Sequence, residues 1–470
     1  MNDKKGFYLT TTLPYVNAEP HIGFAMEIIQ ADIIARTKRL QGFDVFFNTG
    51  TDEHGQKIYT KALEVGMDTQ KYADKYAETF KELATLLNLS QTHFIRTTSE
   101  EHKSSAQEMW RRCAEAGDIY KKNYEIKYCV GCELEKTDSE LVDGCCPIHP
   151  EKDLEIREEE NYFFKFSRFG PELLKLYGSG DFMVPDFRLN EIRALIDRSL
   201  EDFSISRLRE KMPWGISVPD DEEHVMYVWF DALTSYISTL GWPSDKERFD
   251  KFWVNGTPVQ FAGKDQVRQQ AAMWQAMLLS AGLPPTRQIV IHGFINFDGQ
   301  KMSKSLGNVL SPKELIDEYG VDALRYFIAR EFNQFEDSDI SVEKLRVAYN
   351  ANLANGLGNL VSRVMKLAET NLEGTVEIDR SLHKTFEQHL DNFDIQKAIN
   401  HIWVEIGELD GEIQESKPWE TKDKEVIISL VKKLAHIGYS LEPFMPQTSE
   451  KIISAIKENR LSTPLFPRKD

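Results

Sequence analysis

The sequence predicts an α/β fold class: a doubly wound parallel sheet that is interrupted by an insertion and followed by an α-helical bundle. Short apolar runs alternate with helical apolar patterns in two stretches of the chain, which favours parallel strands joined by helices. Four of the five cysteines lie between positions 129 and 146, in the gap between those stretches. From about position 346 onward only helical periodicity remains, which is typical of a bundle.

The first stretch begins with residues 7–12, which form a predicted buried strand broken by Pro14. Apolar residues then recur at helical spacing up to Gly42, and residues 45–47 give a second strand. The second stretch contains a predicted strand at 259–262, a helix at 267–282 and a strand at 288–292. This alternation predicts a Rossmann-like sheet that binds ligands at the carboxyl ends of its strands.

These patterns divide the chain into four predicted regions. They are a split sheet domain at 1–114 and 226–295, an insertion at 115–225, a linker domain at 296–345 and an α-helical domain at 346–470. Helical spacing in the last region is clearest at 349–367, 395–413 and 426–441.

Composition limits the class of protein. A chain of 470 residues with 41% hydrophobic and 28% charged residues has room for several folded domains. It shows no secretory signal pattern and no uncharged run of membrane-spanning length, so we expect a cytoplasmic protein. The net charge of −18 argues against a surface that binds nucleic acid everywhere, but it is compatible with a local basic path.

The cysteine cluster has the spacing of a metal site. Cys129 and Cys132 form one pair, and Cys146, rather than Cys145, forms a second pair of the same spacing with His149. Three thiolates and an imidazole can complete a tetrahedral zinc site. Four protein ligands leave no open position for water, so the predicted zinc is structural, with one ion per chain. Reduced, unliganded cysteines are the alternative.

Two basic segments favour binding of a nucleoside triphosphate. His21 follows Pro20 at a predicted helix start, where backbone N–H groups attract phosphate, and Gly23 permits a close approach. Lys301 and Lys304 lie in a polar, glycine-flanked segment that is typical of a mobile loop. Two lysines on such a loop can stabilise charge on a leaving pyrophosphate. A surface histidine and a solvated basic turn are the alternatives.

The two segments resemble the HIGH and KMSKS signatures of class I aminoacyl-tRNA synthetases. Residues 21–24 match except at Phe24, and residues 301–305 match completely. Further segments narrow the resemblance to the methionyl-tRNA synthetases over essentially the whole chain; they are 13–17, 49–55, 227–232 and 309–327. The resemblance implies activation of methionine by ATP with Mg²⁺, followed by transfer to the terminal adenosine of tRNA(Met), without a covalent enzyme intermediate.

The resemblance also implies site residues. Asp52 would hold the substrate ammonium, and the methionine side chain would be surrounded by Leu13, Tyr15, Trp229, Ala232, Tyr236 and Trp274. ATP would contact His21, Gly23, Phe24, Gly263, Asp265, Lys301, Ser303 and Lys304, with His21, Lys301 and Lys304 as catalytic donors. Aromatic walls suit a thioether because sulfur makes favourable contacts with rings. Ordinary core packing is the alternative for these aromatics.

In the same family the helical domain reads the anticodon. Asn359 and Arg363 are four residues apart on one predicted helix face, which suits hydrogen bonds to base edges. Trp419 follows Pro418 in a predicted connecting segment, where an exposed ring can stack on a base. By spacing alone, solvated polar side chains and a packing tryptophan are the alternatives.

Two departures from the family pattern motivate other functions. Phe24 replaces a usual phosphate-binding histidine, which motivates a noncatalytic or repurposed tRNA-binding protein. Gln269 stands where the family usually has an aromatic residue or a proline, and Gln270 stands where it usually has a histidine. This difference motivates a synthetase with altered amino-acid specificity. The insertion is too small for the editing domain of leucyl, isoleucyl and valyl relatives. We expect a monomer that lacks the additional C-terminal tRNA-binding domain of many family members.

Overall fold

The computed structural model describes residues 4–17, 19–132, 134–136, 141–178, 180–301, 310–380 and 384–469. The chain divides into two compact units. The first unit comprises Met1–Glu19, Phe43–Glu82 and Gln91–Ile291, and the second comprises Pro20–Gly42, Leu83–Ser90 and His292–Asp470. The predicted domain boundaries at 115, 226, 296 and 346 stay predictions.

The described strands are, in chain order, β1 (Gly6–Thr10), β2 (Asp44–Thr51), β3 (His93–Arg96), β4 (Ile119–Cys129), β5 (Leu134–Glu135), β6 (Glu155–Phe164), β7 (Met183–Val184), β8 (Phe203–Ser204), β9 (Ser206–Leu208), β10 (Ser217–Val218), β11 (Asp221–Met226), β12 (Thr257–Gly263), β13 (Gln288–His292), β14 (Ile295–Phe297), β15 (Gln300–Lys301) and β16 (Ser338–Ile340).

The described α-helices are α1 (Ile22–Leu40), α2 (Gln56–Glu64), α3 (Thr69–Leu86), α4 (Glu100–Glu115), α5 (Gly170–Tyr177), α6 (Leu189–Asp197), α7 (Val228–Leu233), α8 (Ser235–Ser238), α9 (Lys246–Phe249), α10 (Trp274–Ser280), α11 (Pro312–Tyr319), α12 (Val321–Tyr326), α13 (Val342–Ala348), α14 (Asn359–Asn371), α15 (Lys384–Asp391), α16 (Ile395–Ser416), α17 (Pro418–Thr421), α18 (Lys424–Ser440) and α19 (Pro446–Glu458). None of them is long and apolar enough to cross a membrane.

The first unit contains the predicted sheet. Its six strands lie in the order β3-β2-β1-β12-β13-β7. β1 pairs in parallel with both β2 and β12, and it is buried along its whole length. The chain runs outward from β1 to β2 and β3 on one side and from β12 to β13 on the other, so the strand order reverses between β1 and β12; the edge strand β7 comes from an earlier part of the chain. Ligands of doubly wound sheets bind at the carboxyl ends of the strands beside such a reversal.

Two smaller sheets complete the first unit. The strand pair β4 and β6 is antiparallel over ten residues of each strand and carries β5 and β8 at its edges. A three-stranded sheet has the order β10-β11-β9. Because β4 ends at Cys129, the long pair places the cysteine cluster at one of its ends.

Two predicted helices contain wider π turns. The helix predicted at 267–282 has π turns at Gln269–Met273 and becomes regular α-helix only at α10. Nε2 of Gln275 donates to the backbone carbonyl of Gln270 at 2.8 Å, and a side chain inserted into the backbone ladder is a known cause of such irregularity. Residues Tyr349–Gly358 have the same wide turns before α14. Apolar spacing does not distinguish these turns from α-helix.

In the second unit, α1, α12 and the loop before α19 meet at a buried arginine. The guanidinium of Arg325 on α12 is fully buried and donates to the carboxylate of Asp32 on α1 at 2.7 Å. It also donates to the backbone carbonyls of Leu87, Pro443 and Phe444. Arg325 therefore joins four parts of the chain through five-donor geometry that a lysine does not have.

Asp32 is equally well satisfied. It accepts from Arg36, from the backbone N–H and hydroxyl of Ser90, and from Arg325. Burial alone raises the pKa of Asp32, but the two guanidinium groups and Ser90 outweigh burial and hold this pKa below its usual value. The ionised carboxylate is thus the form that the folded second unit stabilises.

We expect Asp32→Asn to lower the free energy of unfolding by about 3–5 kcal/mol at pH 7, because it leaves a buried guanidinium without its counter-charge. Because the pKa of Asp32 is lower in the folded than in the unfolded protein, its ionised form contributes stability at pH values above the unfolded pKa of about 3.9. This contribution is lost as the pH falls from there through the folded pKa. The difference between wild type and variant should therefore shrink below about pH 4 in urea unfolding followed by circular dichroism.

Glu343→Gln is the matched control, since it breaks an exposed pair with Arg346. Its expected effect is below about 1 kcal/mol at every pH. Equal effects of the two substitutions would contradict a structural role for the buried pair.

Candidate functional site

His21 caps the first turn of α1 in the second unit. Its Nδ1 accepts from the backbone N–H of Gly23 at 3.1 Å, so a neutral His21 carries its ring proton on Nε2 as a donor. A Cβ at position 23 would lie 3.0 Å from the His21 ring, which explains the glycine there. His21 precedes the helix instead of lying in its first turn, and its side chain is exposed. Phe24 is half-buried.

The residues that flank the lysine-bearing segment, one before it and one after it, both contact α1. The carboxylate of Glu27 lies 2.8 Å from Nε2 of His292, and both side chains are buried. The N–H of Ile22 donates to the carbonyl of Leu310 at 3.2 Å. Lys301 ends β15. Ser303 and Lys304, which the sequence predicts at this site, lie outside the described residues, as does the side chain of Lys301.

Asp52 lies in the first unit, directly after β2. Its backbone N–H donates to Pro14 at 3.0 Å, and its carbonyl accepts from Val16 at 3.2 Å. Residue 15 therefore pairs with residue 52 as in a parallel bridge. The structure thus brings Tyr15 and Asp52 together, with Leu13 half-buried just before them. Asp52 is only 4% exposed, so its carboxylate is in a position to bind a cation out of water.

A buried carboxylate between two histidines supports the segment after Asp52. The oxygens of Asp231 lie 2.7 Å from Nδ1 of His54 and 2.7 Å from Nε2 of His102. Burial raises the pKa of Asp231, but the two histidines outweigh burial and lower it to about 2. Asp231 is therefore ionised, and it joins α7 to α4 and to the turn after β2.

The predicted aromatic wall belongs to two packed groups of the first unit, and Trp229 packs against both of them. Tyr236 and Trp274 are buried, with ring centroids 5.8 Å apart in an edge-to-face arrangement. Trp229 is half-buried and packs, as Tyr15 does, against Tyr227 and its neighbours. Ala232 is half-buried on α7. The indole N–H groups of Trp229 and Trp274 have no hydrogen-bond partner among the described residues, although both are buried.

Gly263 and Asp265 lie at the end of β12. Gly263 is the last residue of this strand and is buried, whereas Asp265 is exposed in the short 3₁₀ segment Lys264–Gln266. Both are therefore at the carboxyl end of a strand that borders the reversal in strand order.

Four side chains of the first unit form a compact cluster. One ligand atom from each of Cys129, Cys132, Cys146 and His149 lies within 4.8 Å of the others. Nδ1 of His149 is 3.2 Å from the sulfur of Cys132 and 3.8 Å from that of Cys129. A Cβ at Gly131 would lie 2.5 Å from the His149 ring, so this ring position requires glycine. The donor set fits a tetrahedral site for zinc.

Thiol pKa values in the cluster differ. Burial raises the pKa of Cys132 to about 12. Burial also opposes ionisation of Cys146, but the backbone N–H groups of Ile148 and His149 outweigh it and lower the pKa of that thiol. Cys145 is not a member of the cluster; its backbone pairs with Val142 in a tight turn.

The three predicted anticodon residues lie on two helices of the second unit. Asn359 begins α14 and is exposed, and Arg363 lies one turn later, half-buried and paired with Asp410 of α16. Trp419 is 45% exposed. It lies on the short helix α17, which connects α16 to α18, because Lys417 in the left-handed region ends α16 and Pro418 starts a new turn.

Sequence reasoning missed the partners of the motif residues. Glu27 and His292 are far apart in sequence, and no local pattern connects them. Asp231 and His54 lie inside segments that carry the family resemblance, but their pairing with each other is visible only in three dimensions.

Three kinds of comparison agree. The family model described as "tRNA synthetases class I (M)" matches residues 7–154 and 137–365. A methionine–tRNA ligase of Caldanaerobacter subterraneus subsp. tengcongensis is 41% identical over 96% of this chain and 74% of its own length, and that of Thermotoga maritima is 38% identical over 96% and 75%. The Mycobacterium tuberculosis methionyl-tRNA synthetase in complex with methionyl-adenylate has a TM-score of 0.89 and 35% identity, covering 99% of this chain and 97% of the other.

These matches extend over nearly the full chain and include both units, the cysteine cluster and the segments around His21 and Asp52. The chain belongs to the methionine–tRNA ligases, a family of class I aminoacyl-tRNA synthetases.

Proposed function

We propose that this protein activates methionine with ATP to methionyl-adenylate and transfers the methionyl group to the terminal adenosine of tRNA(Met). The observation that carries this proposal is the near full-length similarity to methionine–tRNA ligases. Phe24 motivates a noncatalytic protein, and Gln269 with Gln270 motivates a synthetase for another amino acid. Neither alternative has such support among the comparisons.

His21, Lys301 and Lys304 act on the phosphates in this proposal. The methionine carboxylate attacks the α-phosphorus in line, and pyrophosphate leaves. Nε2–H of His21 lies at a helix N-terminus, where a donor and the helix dipole both stabilise developing negative charge. The two lysines neutralise the pyrophosphate, Ser303 is a further contact, and Mg²⁺ supplies additional charge when it binds with ATP. Gly263 and Asp265 are assigned to the ribose.

The amino-acid site is assigned to the first unit. The buried carboxylate of Asp52 binds the substrate ammonium, and its backbone bonds to Pro14 and Val16 hold it in place. The methionine side chain contacts Leu13, Tyr15, Trp229, Ala232, Tyr236 and Trp274. Aromatic faces give a thioether dispersion contacts as well as shape selection.

Zinc is assigned to Cys129, Cys132, Cys146 and His149, which would hold it with no open position. Such an ion stabilises the fold of the segment around it and takes no part in catalysis. Binding of tRNA is assigned to the second unit, where Asn359, Arg363 and Trp419 would contact the anticodon. We propose that the protein acts as a monomer.

ATP–pyrophosphate exchange with each of the twenty amino acids tests the activity. Exchange is expected with methionine. His21→Asn should lower its kcat about 10²–10³-fold, because a donor to the transition state is lost, and should change the KM for methionine little. His389→Asn, on α15 of the same unit, is the control and should leave both values unchanged. Exchange with a different amino acid would indicate altered specificity, and silence across all twenty would refute both enzymatic functions.

Metal analysis tests the cysteine cluster. Wild type should contain one zinc per chain, and Cys146→Ser should lose it and melt at a lower temperature, because a ligand is removed. Cys145→Ser changes the adjacent cysteine and should keep the zinc. Loss of zinc from both variants, or a metal-free wild type, would contradict the ligand assignment.

Trp419→Ala should lower kcat/KM for aminoacylation of tRNA(Met) about tenfold or more, since stacking of a base on an aromatic ring is lost. Exchange of ATP and pyrophosphate should be unaffected, because it needs no tRNA. Phe187→Ala removes a ring of similar exposure, 46%, in the other unit and serves as the control. A parallel loss in both reactions would mean that Trp419 supports folding instead of tRNA binding.

A further inference from the structure

A series of buried amides ends at Tyr236. Nε2 of Gln270 donates to the hydroxyl oxygen of Tyr236 at 2.5 Å, and these side chains are 1% and 3% exposed. The proposed function assigns Tyr236 to the methionine side chain, and the inference below rests on that assignment. Gln270 presents its NH₂ group, and not its oxygen, to the tyrosine because of three further hydrogen-bonded residues.

One backbone group fixes the first amide. The N–H of Thr286 lies 3.0 Å from Oε1 of Gln275, and a backbone N–H can only donate. The other end of the Gln275 amide must therefore be Nε2. It donates to the hydroxyl of Thr286 at 3.0 Å and to the backbone carbonyl of Gln270 at 2.8 Å.

The hydroxyl of Thr286 determines which way the next two amides, those of Gln260 and Gln270, are oriented. Because the hydroxyl accepts from Gln275, its own proton goes to Oε1 of Gln260, at 2.5 Å. Gln260 then donates from Nε2 to Oε1 of Gln270 at 3.1 Å. Gln270 is left with Nε2 facing Tyr236. Each amide nitrogen in this series donates to at least one acceptor, and rotation of any one amide would place two donors or two acceptors together.

Burial makes this arrangement rigid. Gln260 and Gln275 are fully buried, and Gln270 and Thr286 are 1% exposed. Water therefore does not compensate a rotated amide, and an unmade hydrogen bond in the interior is costly. An amide also does not titrate between pH 5 and 8, unlike the histidine that is usual at position 270.

We propose that Gln260, Gln275 and Thr286 are positioning residues for the amino-acid side-chain site. They hold Gln270 as a donor to Tyr236, so that the tyrosine proton points away from Gln270. This polarity favours a substrate whose side chain carries a weak acceptor, as a thioether does, over an isosteric side chain that carries none.

Thr286→Val tests the proposal, since it removes the hydroxyl but keeps the shape and the backbone N–H. Oε1 of Gln260 then loses its donor, and the amides of Gln260 and Gln270 are free to rotate. We expect the KM for methionine in ATP–pyrophosphate exchange to rise roughly tenfold, with the KM for ATP within about twofold of wild type. The kcat/KM ratio of methionine over norleucine, its isostere without sulfur, should fall at least about threefold.

Thr286→Ser restores the hydroxyl and should bring both quantities back to within about twofold of wild type. Gln260→Met breaks the next link at similar volume, and it decides the test if Thr286→Val does not fold. An unchanged methionine KM and norleucine ratio in a folded variant overturns the proposal while the wild-type activity stands. A wild type that exchanges with no amino acid instead refutes the proposed function, and this inference with it.

Discussion

The second unit depends on one buried ion pair. Arg325 binds Asp32 of α1 while it also binds backbone carbonyls at positions 87, 443 and 444. A guanidinium in the interior is tolerated only when its donors are satisfied, so each of these segments must be in place before the pair is stable. His21 caps the same helix α1, in which Glu27 contacts His292 and the backbone N–H of Ile22 donates to Leu310. Errors in the packing of Arg325 would therefore reach the helix that carries the proposed catalytic histidine.

The first unit relies on a comparable arrangement of charge. Asp231 is fully buried and lies between His54 and His102, and Glu53 binds Arg96 of β3 through both oxygens. These contacts hold the two residues that follow Asp52, and the backbone of Asp52 itself pairs with the segment at 14–16. The charged groups that hold Glu53 and His54 therefore help to position the proposed ammonium site.

Much of the fold could be predicted from the sequence. Strand and helix alternation predicted four strands of the parallel sheet, because periods of two and 3.6 residues separate the two element types. It did not predict the two edge strands, β3 and β7, and β7 lies within the predicted insertion. The π turns at 269–273 could not be predicted, since they depend on the Gln275 amide binding the carbonyl of Gln270. The metal cluster could be predicted because its ligands are close in sequence, whereas Glu27 with His292 and Asp231 with His102 meet only through long-range folding.

Arg363, which is proposed to contact the anticodon, is paired with Asp410 in the protein alone. A polyanion that approaches α14 therefore meets a charge that is already neutralised, and it must displace a carboxylate to gain the guanidinium. Asp410 competes with any anion for Arg363 and is always present at high local concentration. Weak and nonspecific anions therefore gain little binding free energy from this arginine. Only a ligand that makes several contacts at once regains the free energy lost when the Arg363–Asp410 pair breaks. The ion pair therefore contributes to selectivity by weakening the binding of ligands that make few contacts.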